Sequence, residues 1–191
     1  GIVVEDNVKL LNASSPNIET IRRSIVPTQF CQVKNNVNFA SGFGIFEIGR
    51  VVDGVDADTN LCREQKKLAI TLYSKADKLE DLYFKARDIV AVLADDIRHA
   101  SVSFRAKQAA HSYQHPKNLN DILCGGEVIG EIGIAHPYVT RKIDKKASIV
   151  YVEIDMEALT AVENGHIAYE EPSRYPGMEI DLSFLADRFE Q

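Results

Sequence analysis

The sequence predicts an α+β domain built on a largely antiparallel sheet, and three observations carry that expectation. Short runs rich in β-branched and aromatic residues recur along the chain. Two of them flank Cys124-Gly125-Gly126, a hairpin signal, because paired glycines tolerate positive φ. One long amphipathic helix interrupts the strands, without the regular β-α-β alternation of a doubly wound fold.

Taken in order, Asn12 to Asn17 is polar and reads as a turn. Phe30, Val33 and Val37 recur at helical spacing beyond Pro27 and predict a short helix over Thr28–Asn38. Ser41-Gly42-Phe43-Gly44 punctuates the chain before a strand over Ile45–Val52, and a polar loop follows from Asp53 to Asn60. The alternation of Leu68, Ile70 and Leu72 predicts a second strand. Leu79, Leu82, Tyr83, Ala86, Ile89, Val90 and Leu93 then form one apolar face of a helix some four turns long. Val102 and Phe104 mark a short strand, Asn118–Leu123 and Glu127–Ala135 the two arms of the hairpin, Ala147–Asp155 another strand and Met178–Leu185 a last one.

The bulk numbers bound the class. A chain of 191 residues with 45% hydrophobic and 26% charged residues is globular, with one domain spanning 1–191 as the expectation. A net charge of −6 argues against a standalone nucleic-acid binder, since neutralising phosphates takes a surplus of Lys and Arg. Cys31, Cys62 and Cys124 lie far apart and leave one unpaired, which suits a reducing compartment and a cytoplasmic location. The first residue is Gly1, and no basic-then-apolar layout of a signal peptide follows. An excised fragment of a longer protein is the expectation; a processed terminus or a tag scar would look the same.

Individual residues offer little chemistry. His111 and His115 have the spacing of two zinc ligands on a helix face, but Pro116 follows at once and no further ligand cluster is near, so ordinary strand or loop histidines are expected. Asp95-Asp96 reads as a solvated helix end. No base is readable beside any cysteine, and Cys31 is expected to be buried. Phe46, Ile48 and Val51 read as core. Arg22-Arg23 reads equally as a contact with a carboxylate or phosphate partner and as a solvated face near a helix start.

Several segments together resemble the beta chain of phenylalanyl-tRNA synthetase. Val8-Lys9-Leu10-Leu11-Asn12 leading to Ile21-Arg22-Arg23-Ser24-Ile25-Val26-Pro27 is similar to the family's V-x-L-x-N-P … M-R-x-S-L-L-P. Phe46-Glu47-Ile48-Gly49-Arg50-Val51 resembles its F-E-I-G-R-V strand, and Asp81 to Asp88 resembles D-F-F-D-L-K-G-x. His115-Pro116 followed by Gly130 to Pro137 is similar to H-P-G-R … G-x-L-G-x-L-H-P, and Ser173-Arg174-Tyr175-Pro176 before Asp181-Leu182 to S-K-F-P-x-x-x-R-D-L.

The resemblance implies the class II aminoacyl-tRNA synthetase core, here in the non-catalytic version that packs against the catalytic alpha subunit of a heterotetramer. It implies that this domain holds no cofactor and no metal, with ATP and Mg bound by the alpha subunit and tRNA(Phe) reached through the holoenzyme, away from membranes. The arginine motifs that stabilise charge during adenylation in class II enzymes have no counterpart in Phe46 to Arg50 or in Gly130 to Gly133. Arg22, Arg23, Glu47 and Arg50 are the candidate subunit or tRNA contacts. Lys117-Asn118 and Gly177 to Ile180 depart from the family pattern and lose basic residues there. Those departures keep open a free-standing relative that serves as a small-molecule or protein binding module.

Overall fold

The computed structural model describes residues 7–165 except 11, 14, 16–18 and 60, together with 180–183 and 185. A two-stranded ribbon, β1 (Val8–Lys9) and β2 (Thr20–Ile21), precedes α1 (Val26–Asn36). The strands β3 (Gly42–Val55), β4 (Cys62–Ser74), β5 (Val102–Ala106), β6 (Gln114–Cys124), β7 (Glu127–Ala135) and β8 (Ser148–Asp155) form one sheet. Its order is β3-β4-β8-β7-β6-β5, and every neighbouring pair is antiparallel. Helix α2 (Leu79–Arg98) follows β4, α3 (Pro137–Ile143) follows β7 and α4 (Met156–Ala161) follows β8.

The sheet is covered on both faces because side chains alternate along each strand. On one face α2 and α4 pack over Leu68, Leu72, Ile122, Ile132, Val150, Val152 and Ile154. Helix α2 presents Leu82, Ala86, Val90 and Ala94 to that core, one residue per turn, and Ala keeps it close to the sheet. It runs longer than the four expected turns and stops at His99, a non-glycine residue at φ 50° whose N–H bonds to Asp95 O at 2.8 Å. Asp95 and Asp96 therefore lie in the last turn beside Arg98.

On the opposite face α1 and α3 cover Val51, Ala69, Tyr73, Leu119, Ile149 and Tyr151, with Phe30 edge-on to Tyr113 and Tyr151. Gln29 of α1 is fully buried yet satisfied, donating to Ala69 O at 3.0 Å and accepting from Thr71 Oγ1 at 2.7 Å. Gly125 and Gly126 close the β6–β7 hairpin at φ +60° and +87°, as the paired glycines predict.

Three expectations are corrected. Phe46 and Ile48 are 74% and 51% exposed, whereas Val51 is buried. Strand β3 is the sheet edge, and its even positions fall on the α2 face, where α2 lies chiefly over β8. Cys31 is exposed, because α1 turns Val26, Pro27, Gln29, Phe30 and Val33 inward and leaves position 31 outside. Of the expected strand over Met178–Leu185, positions 180–183 and 185 are described and are not in a strand, and the others lie outside the described residues, as do positions 14, 16 and 17 of the turn expected over Asn12–Asn17. Among the described residues, no helix is long and apolar enough to cross a membrane.

Candidate functional site

The face of the sheet that α1 covers continues beyond that helix as a polar floor. Pairwise register aligns Arg105, Asp121, Glu131, Glu153, Ala69 and Glu47 across β5, β6, β7, β8, β4 and β3. Four carboxylates thus share one row, with Asp121 directly opposite Glu131 and Glu131 directly opposite Glu153, an arrangement that repels unless cations intervene.

The cations are present. Arg105 and Lys107 reach Asp121 at 2.9 and 3.4 Å, and Lys107 also reaches Glu131 at 2.9 Å. Lys67 reaches Glu153 at 3.2 Å, and Arg22 pairs with Glu47. The remaining lone pairs are met by neutral donors: Gln114 Nε2 at 2.7 Å and Tyr151 O–H at 3.3 Å donate to Glu131. Burial raises the Asp121 pKa, but hydrogen bonds and charge from Arg105 and Lys107 outweigh it and leave the carboxyl below its ordinary value. Burial likewise pushes Lys107 down, and Glu131 with Asp121 more than restores it. The Tyr151 phenol is held well above its ordinary range, first by burial and then by the Glu131 charge.

Glu153 also anchors the start of α1. Its Oε1 accepts from Ser24 Oγ at 2.9 Å and from Ile25 N at 2.7 Å, and Ser24 Oγ accepts in turn from Val26 N at 3.2 Å. These contacts replace a side-chain N-cap, which Ile25 cannot supply. A cleft of about 210 Å³ opens over this floor, lined by Gln65, Lys67, Lys107, Glu131, Glu153 and Asp155.

Arg22, Glu47 and Arg50 converge at the β3 edge. Arg22 bridges Glu47 and the Arg50 carbonyl, the latter at 3.4 Å, and Gly49 makes room, since a Cβ there would stand 2.5 Å from Arg22 Nη2. Arg50 pairs with Glu64 at 2.8 Å on the exposed surface, where such pairs contribute little. Arg23 is exposed and does not join them. His111 precedes β6 and stacks on Tyr113 at 5.4 Å, while His115 lies inside β6 and accepts from the Lys117 and Asn118 N–H groups, so the two share no helix face. No group of three or more His, Cys, Asp or Glu placed to hold a metal ion occurs among the described residues.

Sequence reading missed Asp121, Glu131, Glu153, Lys67 and Lys107. The available signal was an acidic residue on the covered side of an otherwise apolar strand, as in Val150-Tyr151-Val152-Glu153-Ile154.

A family model for the phenylalanyl tRNA synthetase beta chain CLM domain matches residues 4–156. The chain belongs to this family. Its relatives include the phenylalanine–tRNA ligase beta subunit of Bacillus subtilis (27% identical over 95% of this chain and 23% of the relative) and that of Listeria monocytogenes serovar 1/2a (29% over 96% and 24%). The beta subunit of Syntrophus aciditrophicus is 24% identical over 95% of this chain and 23% of its own. The chain thus spans about a quarter of the length of the curated relatives it matches. Among solved structures, Desulfitobacterium hafniense PylSc, a pyrrolysyl tRNA synthetase, superposes with a TM-score of 0.54 at 16% identity, covering 74% of this chain and 49% of that one. That likeness shows the fold: the beta-chain domain has the class II synthetase architecture, an antiparallel sheet flanked by helices.

Proposed function

We propose that this domain is the non-catalytic core of a phenylalanine–tRNA ligase beta subunit, packing against the catalytic alpha subunit to support ATP-dependent attachment of phenylalanine to tRNA(Phe). The single observation that carries the reading is the closed charge row on the sheet face. Adenylation needs cations aimed at a phosphate and at developing charge. Here Arg22, Lys67, Arg105 and Lys107 are all engaged by carboxylates of the same row. A nucleotide phosphate would have to break those pairs and face Glu131 and Glu153, so this face does not fit ATP or its magnesium. Those ligands belong to the alpha subunit in this reading.

What supports a packing role is exposed apolar surface on a strand edge. Phe46 and Ile48 stand on one face of β3, whose outer edge has no strand neighbour among the described residues. In the assembly, a cytoplasmic heterotetramer, tRNA(Phe) is bound through the holoenzyme, with Arg22, Arg23, Glu47 and Arg50 as subunit or tRNA contacts. Purification of the parent protein from its own cells, with mass spectrometry of what accompanies it, tests the role. Stoichiometric recovery of the catalytic alpha chain is the expected result. Its absence, with another beta chain occupying that complex, overturns the reading.

A further inference from the structure

Away from the charge row, on the α2 face, a cleft of about 620 Å³ opens between the beginning of α2 and strands β6 and β7. Its apolar lining, largely aromatic, comes from Tyr83, Phe84 and Ile134; Phe84 is 54% exposed although it sits on a well-packed helix. Its polar lining includes Lys78, Lys117, Asn118 and Asn120. Neither lysine has an ion-pair partner among the described residues, in contrast to Lys67 and Lys107.

Three further facts bear on what fits. Asn120 Nδ2 donates to Tyr83 O–H at 2.7 Å, leaving the phenolic proton to be donated onward. Burial, opposed by Asn120 and by the Arg87 charge, holds the Tyr83 pKa up and keeps that proton in place. Arg87 lies with its guanidinium 4.4 Å from the Phe104 ring and 5.7 Å from the Phe84 ring, a third positive charge beside the aromatic lining. Against these, Glu80 is the one carboxylate among the described residues that line the cleft. The volume falls in the range of small-molecule sites, where apolar walls with a few convergent polar groups are the rule.

We propose that this cleft binds a small organic anion with a flat ring, the ring against Tyr83, Phe84 and Ile134 and the carboxylate or phosphate at Lys78, Lys117 and the Tyr83 hydroxyl. The site lies on the face of the sheet opposite the charge row, at β6 and β7, far along the sheet from Phe46 and Ile48 on β3, so it does not rest on the subunit-packing role. Lys117-Asn118, a departure from the family pattern, belongs to it.

The test is a chemical-shift titration of the 191-residue chain with benzoate, phenyl phosphate and neutral benzyl alcohol. Saturable shifts of the Tyr83, Phe84, Asn118 and Asn120 signals by at least one anion are expected, with benzyl alcohol at least tenfold weaker. Response to benzoate alone assigns a carboxylate, and response to phenyl phosphate alone a phosphate. The exposed substitutions Lys78→Ala and Lys117→Ala together should weaken anion binding at least tenfold. Asn118→Asp, which adds a negative charge without removing bulk, should weaken the anions and leave benzyl alcohol unchanged. Equal affinity for benzyl alcohol, insensitivity to the lysine pair, or no response to either anion overturns the proposal.

Discussion

Glu131 and Glu153 stand directly opposite each other on β7 and β8, two carboxylates on one face of the sheet with Lys107 on one side and Lys67 on the other. Like charges at opposed positions destabilise a sheet, so the pair is tolerated only because each acid has its own cation and its own neutral donors. Lys67→Met should therefore lower the unfolding free energy by about 3 kcal/mol, as for a buried ion pair broken on one side. Adding Glu153→Gln should recover part of that loss, because the uncompensated charge is gone. Urea unfolding of the two variants checks it; equal losses would show that charge repulsion is not the cause.

The start of α1 depends on the same acid. Ser24→Ala removes a donor to Glu153 and an acceptor for Val26 N. A loss of about 1 kcal/mol is expected, the usual effect of deleting a capping hydroxyl. Hydrogen exchange should quicken at the Val26 amide before it does so in β8. Uniform acceleration throughout the chain would speak against a local cap.

Close approach in the sheet makes another position sensitive. A Cβ on Gly130 would lie 2.3 Å from Glu153 O and 2.9 Å from Ile154 Cα, both backbone atoms that cannot rotate away. Gly130→Ala should cost about 3 kcal/mol, the upper range for overpacking. At Gly126 a Cβ meets open space at φ +87°, so Gly126→Ala carries only the positive-φ penalty of about 1 kcal/mol. Denaturant midpoints of the two variants should differ in that order.

Acid stability should report on Asp144. The Lys146 N–H bonds to its carboxylate, burial opposes, and Lys75 and the Tyr73 hydroxyl add to the lowering, so its folded pKa is below the ordinary 3.8. A depressed carboxylate stabilises the fold above its unfolded pKa, and that contribution is lost as pH falls through the folded one. The stability gap between the wild-type chain and Asp144→Asn should accordingly be constant near neutrality and shrink once the pH drops below about 4. A gap that widens on acidification would contradict the assignment.

The edge of β3 separates stability from assembly. Phe46→Ser with Ile48→Ser should change stability by no more than about 0.5 kcal/mol per site, since neither side chain is in the core. Recovery of the alpha chain in purification from cells should nevertheless fall. Unchanged recovery would place the contact elsewhere on the domain.

Local chemistry was sufficient for most elements. The 3.6-residue period from Leu79 to Leu93, the alternation in β4 and the paired glycines after Cys124 each encode an element in its own few residues, because periodicity reports which side of an element is buried. The α+β class and the antiparallel sheet were legible for that reason, and the family through the resemblance of several ordered motifs. What covers each side was not. Phe46 and Ile48 read as core from their strand pattern, and only the edge position of β3 left them exposed. The charge row draws on positions 47, 121, 131 and 153, which no sequence window joins; the pairing of β4 with β8 and of β8 with β7 brings them into register. The sequence by itself determined most of the elements, whereas which faces are covered, strand neighbours, register and the charges that share a face are long-range choices made by packing the whole sheet at once.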